Sequence, residues 1–159
     1  MLFRSAAGNF YYLGISNANT FACDLLRSTN GGATWQRIGA ALGGDKQWMA
    51  IDTTPGPGRG NIYVVWSPFY NVYNNPNQIF TRSTDGGASW LNAIAVTNQP
   101  FFGTVDIGPN GEVYVFGSAN DPVLPFVLNR SRNATNQLTT PVFDQTTYVN
   151  FGGDLIIGY

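Results

Sequence analysis

Residues 27–35 read RSTNGGATW and residues 82–90 read RSTDGGASW, so one nine-residue phrase occurs twice in a chain of 159 residues. Both copies contain a serine, a short Asn or Asp side chain, two glycines and a final tryptophan. Asn and Asp accept hydrogen bonds from nearby backbone N–H groups, and glycine adopts positive φ without steric cost. The phrase therefore predicts a tight turn between two strands, followed by a tryptophan that packs against a neighbouring hairpin.

A second phrase recurs at similar intervals: GNFY at 8–11, GNIY at 60–63 and GEVY at 111–114. Each copy predicts the start of a strand, because it follows turn residues and opens an apolar stretch. Further short extended segments are predicted at 48–52, 78–83, 93–96 and 103–107. The repeating unit is thus four strands in about 50 residues.

A third and divergent copy of the first phrase lies at residues 131–138, SRNATNQL. It keeps Ser131 and Asn133, but Thr135 replaces the second glycine and Leu138 replaces the tryptophan. Asp52 and Asp106 are expected to cap turns at equivalent places in the second and third units. The repeat boundaries are predicted at 1–44, 45–98 and 99–150, with residues 151–159 starting a further strand pair.

Four antiparallel strands repeated radially every 40–50 residues are typical of β-propeller blades. A β-sandwich is the alternative, but it offers no reason to repeat one loop phrase at every fourth strand. The sequence therefore predicts an all-β fold with about three blades of four antiparallel strands and no helices.

Composition limits the classes of partner. Charged residues make up 11% of the chain and the formal net charge is −1, so no electrostatic case exists for nucleic acid or an anionic membrane surface. No apolar run approaches the length of a membrane span. Low charge with abundant Asn, Thr, Gly and aromatic residues favours an extracellular, periplasmic or cell-surface location.

The chain contains no histidine and a single cysteine, Cys23. Ser-His-Asp and Cys-His arrangements are therefore impossible, as is a metal site built from Cys and His. Cys23 lies in an apolar stretch and is expected to be a packed thiol. No metal and no cofactor are predicted.

The pattern Ser-x-Asp-x-Gly-x-Ser/Thr-Trp resembles the Asp-box, or BNR repeat, of the sialidase superfamily. Residues 45–66 also look like the first two strands of a blade in bacterial sialidase-like proteins, so the resemblance covers nearly the whole chain. It implies a six-bladed propeller with the boxes on the face away from the sialidase active site. The residues assigned to the boxes, as structural residues, are Ser28, Asn30, Gly32, Thr34, Trp35, Ser83, Asp85, Gly87, Ser89 and Trp90.

A catalytic or calcium-binding role for Asp85 is the alternative to a structural one. Asn30 stands at the corresponding place in the first copy, and an amide exchanges no proton at neutral pH and is a weaker calcium ligand. A turn-forming role is therefore expected. Arg27, Arg82 and Arg130 precede the boxes at the same spacing, which indicates a structural role in each repeat.

The resemblance also implies a glycosidase chemistry based on a tyrosine nucleophile, carboxylates and arginines. The sequence does not place such residues convincingly, and no catalytic residue is assigned. One aromatic cluster is expected either to pack in the core or to face a ligand: Trp66, Phe69, Tyr70 and Tyr73.

About three blades are fewer than a closed propeller needs. Either further blades belong to a longer chain, or a second copy completes a six-bladed ring. The leading functional hypothesis is an Asp-box propeller module that binds carbohydrate or a protein partner. The alternatives are part of a sialidase-like exo-glycosidase that uses axial Arg, Tyr and Asp/Glu residues, and a structural assembly subunit.

Overall fold

The computed structural model describes residues 2–68, 75, 77–119 and 126–152. These residues form twelve β-strands and contain no helix, so the predicted all-β class is confirmed. Within the same ranges there is accordingly no helix long and apolar enough to cross a membrane.

The strands form three antiparallel sheets of four strands each. Sheet 1 consists of β1 (Leu2–Arg4), β2 (Phe10–Asn17), β3 (Ala22–Ser28) and β4 (Gln36–Ala41). Sheet 2 consists of β5 (Trp48–Ile51), β6 (Ile62–Val65), β7 (Gln78–Ser83) and β8 (Ile94–Ala95). Sheet 3 consists of β9 (Phe101–Ile107), β10 (Val113–Ser118), β11 (Phe126–Ser131) and β12 (Gln145–Val149).

Every strand pairs with the strand that follows it in the same sheet, so each sheet is a simple meander. The strand register is repeated as well. The first serine of each box phrase is the last residue of the third strand of its sheet. It lies opposite the first residue of the second strand. These pairs are Phe10–Ser28, Ile62–Ser83 and Val113–Ser131.

The first strands of the three sheets are neighbours, because β5 contacts both β1 and β9. The three sheets do not close on themselves. Sheet 2 lies between the other two, and all four residues of β6 are buried. This two-sided burial accounts for the continuous apolar sequence of β6, and each large side chain buried in this way stabilises the fold by about 2 kcal/mol.

One edge of the sheets carries the turns that follow the first and third strands, including the box phrases, and is called the box rim. The other edge, where the second strands end and the fourth strands lead into the next sheet, is called the opposite rim. The predicted strand pair at 151–159 falls mainly on residues 153–159, which lie outside the described residues.

The predicted equivalence of Asp52 and Asp106 is wrong by two positions. Ile51 pairs with Ile62 and Ile107 pairs with Val113, so Asp52 follows its strand while Asp106 precedes the end of its own. Asp52 does cap a turn, because its Oδ1 accepts hydrogen bonds from the N–H (2.8 Å) and Oγ1 (2.6 Å) of Thr54. The strand register distinguishes the two positions, whereas the recurrence of aspartate in the sequence does not.

Candidate functional site

The box phrases form turns at the box rim, which are called turn 1 (residues 28–35), turn 2 (83–90) and turn 3 (131–142). In turn 2, the hydroxyl of Ser83 accepts a hydrogen bond from the N–H of Gly87 (2.8 Å) and donates one to Asp85 Oδ1 (2.8 Å). Asp85 Oδ1 also accepts a bond from the N–H of Ser89 (2.9 Å). Gly86 and Gly87 have φ of 73° and 93°, which explains the requirement for two glycines.

Turn 1 has the same geometry although an amide replaces the carboxylate. Asn30 Oδ1 accepts a hydrogen bond from the N–H of Thr34 (2.9 Å), and Asn30 Nδ2 donates one to Thr34 Oγ1 (2.8 Å). The bonds of Asp85 in turn 2 are thus reproduced without a titratable group.

Turn 3 is longer, yet it keeps the central polar contact. Ser131 donates a hydrogen bond to Asn133 Oδ1 (3.0 Å), and that oxygen accepts a second bond from the N–H of Val142 (2.7 Å). Leu138, at the position of the box tryptophan, is 94% exposed. The divergent copy therefore remains a side-chain-capped turn but lacks the packed indole.

The structure brings together two sets of residues that the sequence analysis treated separately. The tyrosine of each GNFY-type phrase lies directly opposite the arginine that precedes the box, in adjacent strands. The three pairs are Tyr11–Arg27, Tyr63–Arg82 and Tyr114–Arg130. Their equal spacing from the repeated glycines and serines is the signal in the sequence from which the pairing could be predicted.

Turn 3 docks on the Tyr63–Arg82 pair of sheet 2. Arg82 Nη1 donates hydrogen bonds to the carbonyl oxygens of Ala134 (2.7 Å) and Asn136 (2.8 Å), and Nη2 donates to the carbonyl oxygen of Thr139 (3.0 Å). The hydroxyl of Tyr63 donates to the same Ala134 oxygen at 3.4 Å. Backbone carbonyl groups of one sheet's turn are therefore held by the preceding sheet.

Burial changes the acid–base properties of this pair. Desolvation lowers the pKa of Arg82 from its ordinary value, and it raises the pKa of Tyr63 to about 12. At neutral pH the pair consequently consists of a charged guanidinium and a neutral phenol, and both are donors. The pair therefore donates hydrogen bonds to the carbonyl oxygen of Ala134 in turn 3.

Turn 2 packs against sheet 1, as shown by the close approach of its two glycines. A Cβ at Gly87 would overlap the side chain of Leu25, and a Cβ at Gly86 would lie 3.7 Å from the hydroxyl of Tyr11. Trp90, at the end of the turn, packs against the core, whereas Trp35 at the end of turn 1 is 40% exposed. Turns 2 and 3 thus join consecutive sheets.

A cleft of about 330 Å³ opens at the box rim between sheets 1 and 2. Its lining includes Ser5, Asn9, Tyr11 and Arg59. Arg59 Nη1 donates to the carbonyl oxygens of Thr53 (2.6 Å) and Thr54 (3.2 Å), so this guanidinium stabilises its own turn.

The opposite rim differs in backbone conformation. Within the described residues, glycines supply the positive φ angles of the box rim, and the non-glycine residues with positive φ lie at the opposite rim or its connections. They are Phe21 (55°), Lys46 (53°), Asn98 (58°), Gln99 (44°) and Phe102 (47°). Such conformations cost of order 1 kcal/mol each for side-chain-bearing residues and are concentrated at functional sites.

Ser67 ties three segments together at this rim. Its N–H donates to the carbonyl oxygen of Asp45 (2.9 Å), and its Oγ accepts from the N–H of Phe102 (3.2 Å). Two large side chains of these segments are exposed, Trp48 at 40% and Phe102 at 61%. An exposed indole, an exposed phenyl ring and a carboxylate are therefore placed along one edge.

The predicted ligand-facing aromatic residues are distributed differently. Trp66 is fully buried, because it directly follows the completely buried strand β6, and it is a packing residue. Phe69, Tyr70 and Tyr73 lie outside the described residues. No feature of composition or spacing had distinguished Trp48 or Phe102.

No model of a known protein family matches the sequence. No curated protein matches it either. Among solved structures, the chain is similar to a protein of unknown function from Dyadobacter fermentans DSM 18053, with a TM-score of 0.62 and 14% identity. The match covers 94% of this chain and 40% of that chain, so this chain spans about two fifths of the length of the related structure. At this identity the similarity shows a shared fold alone.

Proposed function

We propose that the chain forms blades of an Asp-box β-propeller and acts as an extracellular or cell-surface module that binds carbohydrate at the opposite rim. The observation that carries the proposal is the concentration of exposed aromatic rings and left-handed non-glycine residues at that rim. Strained backbone is retained where a precise surface is needed. At the box rim, in contrast, turns 2 and 3 are engaged in contacts between sheets.

The propeller arrangement is supported by the repeated docking of one sheet's turn on the preceding sheet. It is also supported by the adjacency of the first strands β1, β5 and β9 through β5. A radial arrangement brings the first strands of successive blades together near the axis. The boxes then serve as fixed joints between blades.

The chemistry of the opposite rim suits a sugar. The C–H faces of a pyranose ring pack on aromatic rings, and Trp48 and Phe102 expose such surfaces. Asp45 and Asn98 supply a carboxylate and an amide that can bond to hydroxyl groups. Asn98 Nδ2 already donates to the hydroxyl of Tyr148 at 2.7 Å, which fixes its orientation.

Binding is favoured over sialidase-like hydrolysis by the state of several described carboxylates. Asp24 pairs with Arg37 at 2.7 Å and Asp144 pairs with Arg130 at 3.3 Å. Asp85 and Asp52 accept hydrogen bonds within their own turns. These four carboxylates have hydrogen-bonding or ionic partners within the fold, so none of them is placed as the free acid that glycoside hydrolysis uses.

The experiment is a glycan-array screen followed by titration calorimetry with the best glycan. Trp48→Ala and Phe102→Ala should each weaken binding by about tenfold. Trp35→Ala is the matched control, since Trp35 is equally exposed at 40% but lies at the box rim. The absence of binding to any glycan, or equal losses for Trp48→Ala and Trp35→Ala, would contradict the proposal. Turnover of a fluorogenic sialoside would favour the enzyme alternative.

A further inference from the structure

Turns 2 and 3 each pack on the sheet that precedes them in the chain. Within the described residues, two equivalent surfaces make no such contact: turn 1, and the face of sheet 3 that corresponds to the turn-covered face of sheet 2. Turn 1 rests on no preceding sheet, and its Trp35 is 40% exposed. On sheet 3, Tyr114, Leu128 and Arg130 are only partly buried. Their counterparts in sheet 2, which turn 3 covers, are almost fully buried: Tyr63 (0% exposed), Phe80 (0%) and Arg82 (4%).

The outer face of sheet 3 is apolar beyond this set. Phe116 and Phe126 stack at 5.7 Å, and Phe151 contacts the Phe126 ring edge-on at 5.1 Å while remaining 70% exposed. Phe116 lies opposite Leu128, so these rings continue the same surface. Contiguous exposed apolar patches of this kind mark association sites.

The outer face of sheet 1 is the corresponding free surface at the other end. Leu2 and Tyr12 lie opposite each other there and are 57% and 44% exposed. Val64 and Val115, which occupy the positions equivalent to Tyr12 in the other two sheets, are fully buried. No sheet among the described residues covers Tyr12.

We propose that two copies of this chain associate head to tail, with turn 1 of one copy docked on Tyr114, Leu128 and Arg130 of the other. The contact continues two interfaces that already exist in the molecule, turn 2 on sheet 1 and turn 3 on sheet 2. Turn 1 and the face of sheet 3 are different surfaces, so the interface is heterologous. Further copies that add through the same interface form a ring or a filament. The inference is independent of the carbohydrate-binding proposal.

Arg130 is available for this contact. Its guanidinium pairs with Asp144 at 3.3 Å in a partly exposed site. Ion pairs that remain in contact with solvent hold their geometry less firmly than fully buried ones. In the docked state Arg130 donates to backbone carbonyl groups of turn 1, as Arg82 does to those of turn 3.

The test uses two matched glycine substitutions in turn 1, followed by sedimentation velocity over a range of concentrations. A Cβ at Gly32 meets nothing closer than 4.0 Å within the chain, but the same atom at Gly87 would overlap Leu25 of the neighbouring sheet. Gly32→Ala should therefore weaken association by about tenfold or more. Gly31→Ala is the control, because it carries the same positive-φ strain in the same turn. A Cβ at the equivalent Gly86 makes only an ordinary contact, 3.7 Å from the Tyr11 hydroxyl, although turn 2 is docked. Gly31→Ala should therefore change association by less than about threefold.

The wild-type chain should show a mass that rises with concentration above its 17.3 kDa monomer. Arg130→Ala should weaken association, while Arg59→Ala, with the same loss of charge away from both surfaces, should not. A mixture of Gly32→Ala with Arg130→Ala should form one-to-one complexes, because each variant keeps one intact half of the interface. A monomer at all concentrations up to about 100 µM, or equal effects of the two glycine substitutions, would overturn the proposal.

Discussion

Tyr63 and Arg82 lie opposite each other in β6 and β7, and both donate hydrogen bonds to the carbonyl oxygen of Ala134 in the next sheet, at 3.4 and 2.7 Å. A backbone carbonyl group is present whatever the side chain. Turn 3 can therefore dock on sheet 2 although it has lost the second glycine and the tryptophan of the other two copies. The contact therefore depends on Tyr63 and Arg82 of sheet 2 and not on the side chains of the box phrase in turn 3.

Replacing Arg82 should strongly destabilise the protein. Arg82→Ala removes the hydrogen bonds to four turn carbonyl groups, of which the bond to Ala134 is buried, so the free energy of unfolding should fall by about 2–4 kcal/mol. Arg82→Lys should recover little of this loss, because one ammonium group cannot reproduce the planar fork. Urea denaturation measures both values.

Arg37→Ala is the matched control for that experiment. Arg37 forms an ion pair with Asp24, but its side chain is 58% exposed. Its replacement should change stability far less than that of Arg82. Similar effects of the two substitutions would show that Arg82 does not join the sheets.

Gly87→Ala should cost more than Gly86→Ala. Both glycines have positive φ, so each substitution carries conformational strain of about 1 kcal/mol. Only the Cβ at position 87 overlaps Leu25 of sheet 1, which adds about 1–3 kcal/mol of overpacking. Thermal unfolding of the two variants compares them, and equal midpoints would contradict the docking of turn 2 on sheet 1.

Asp85→Asn should preserve the fold at neutral pH, because Asn30 forms the same turn in sheet 1. Asp85→Ala should instead lower the free energy of unfolding by about 1 kcal/mol, since Ser89 N–H and Ser83 lose their acceptor. Chemical denaturation at pH 7 separates the two. A large loss for Asp85→Asn would imply that the negative charge itself is needed.

The same position predicts a pH dependence. Burial by itself would raise the pKa of Asp85, but hydrogen bonds from Ser89, Ser83 and the backbone outweigh it and lower the pKa. A depressed carboxyl pKa stabilises the folded state above the unfolded-state pKa, and this stability is lost as the pH falls through the folded-state pKa. Stability should therefore decrease below about pH 4, and Asp85→Asn should flatten part of that decrease.

Cys23 should be unreactive in the native protein. The side chain is fully buried, and desolvation raises the pKa of its thiol to about 11. At pH 8 only about one thiol in a thousand is then ionised, and thiolate is the reactive form. Labelling with a thiol-specific disulfide reagent should follow unfolding in urea, and rapid labelling without denaturant would show that the β3 region opens locally.

The two regular boxes could be predicted from sequence because their hydrogen bonds are local. Ser28 and Asn30 contact residues at most four positions away, as do Ser83 and Asp85. Two adjacent glycines leave few other conformations open to such a segment. Turn 3 could be predicted only as a weak copy, since Asn133 bonds to Val142, nine positions further on.

The candidate site at the opposite rim was not predicted. Trp48 and Trp66 are both tryptophans at the ends of apolar stretches, yet Trp48 is 40% exposed and Trp66 is fully buried. Burial depends on which sheet covers each strand, and this contact joins residues far apart in the chain. Periodicity within a strand carries no such information.

The sequence by itself determined the four-strand repeat, the box turns and the all-β class, because strand propensity and turn hydrogen bonds act over a few residues. Only the tertiary structure decided that turn 3 rests on Tyr63 and Arg82 and that turn 2 rests on Tyr11 and Leu25. These contacts join residues more than fifty positions apart. Their geometry depends on how whole sheets pack, which no local pattern of residues encodes.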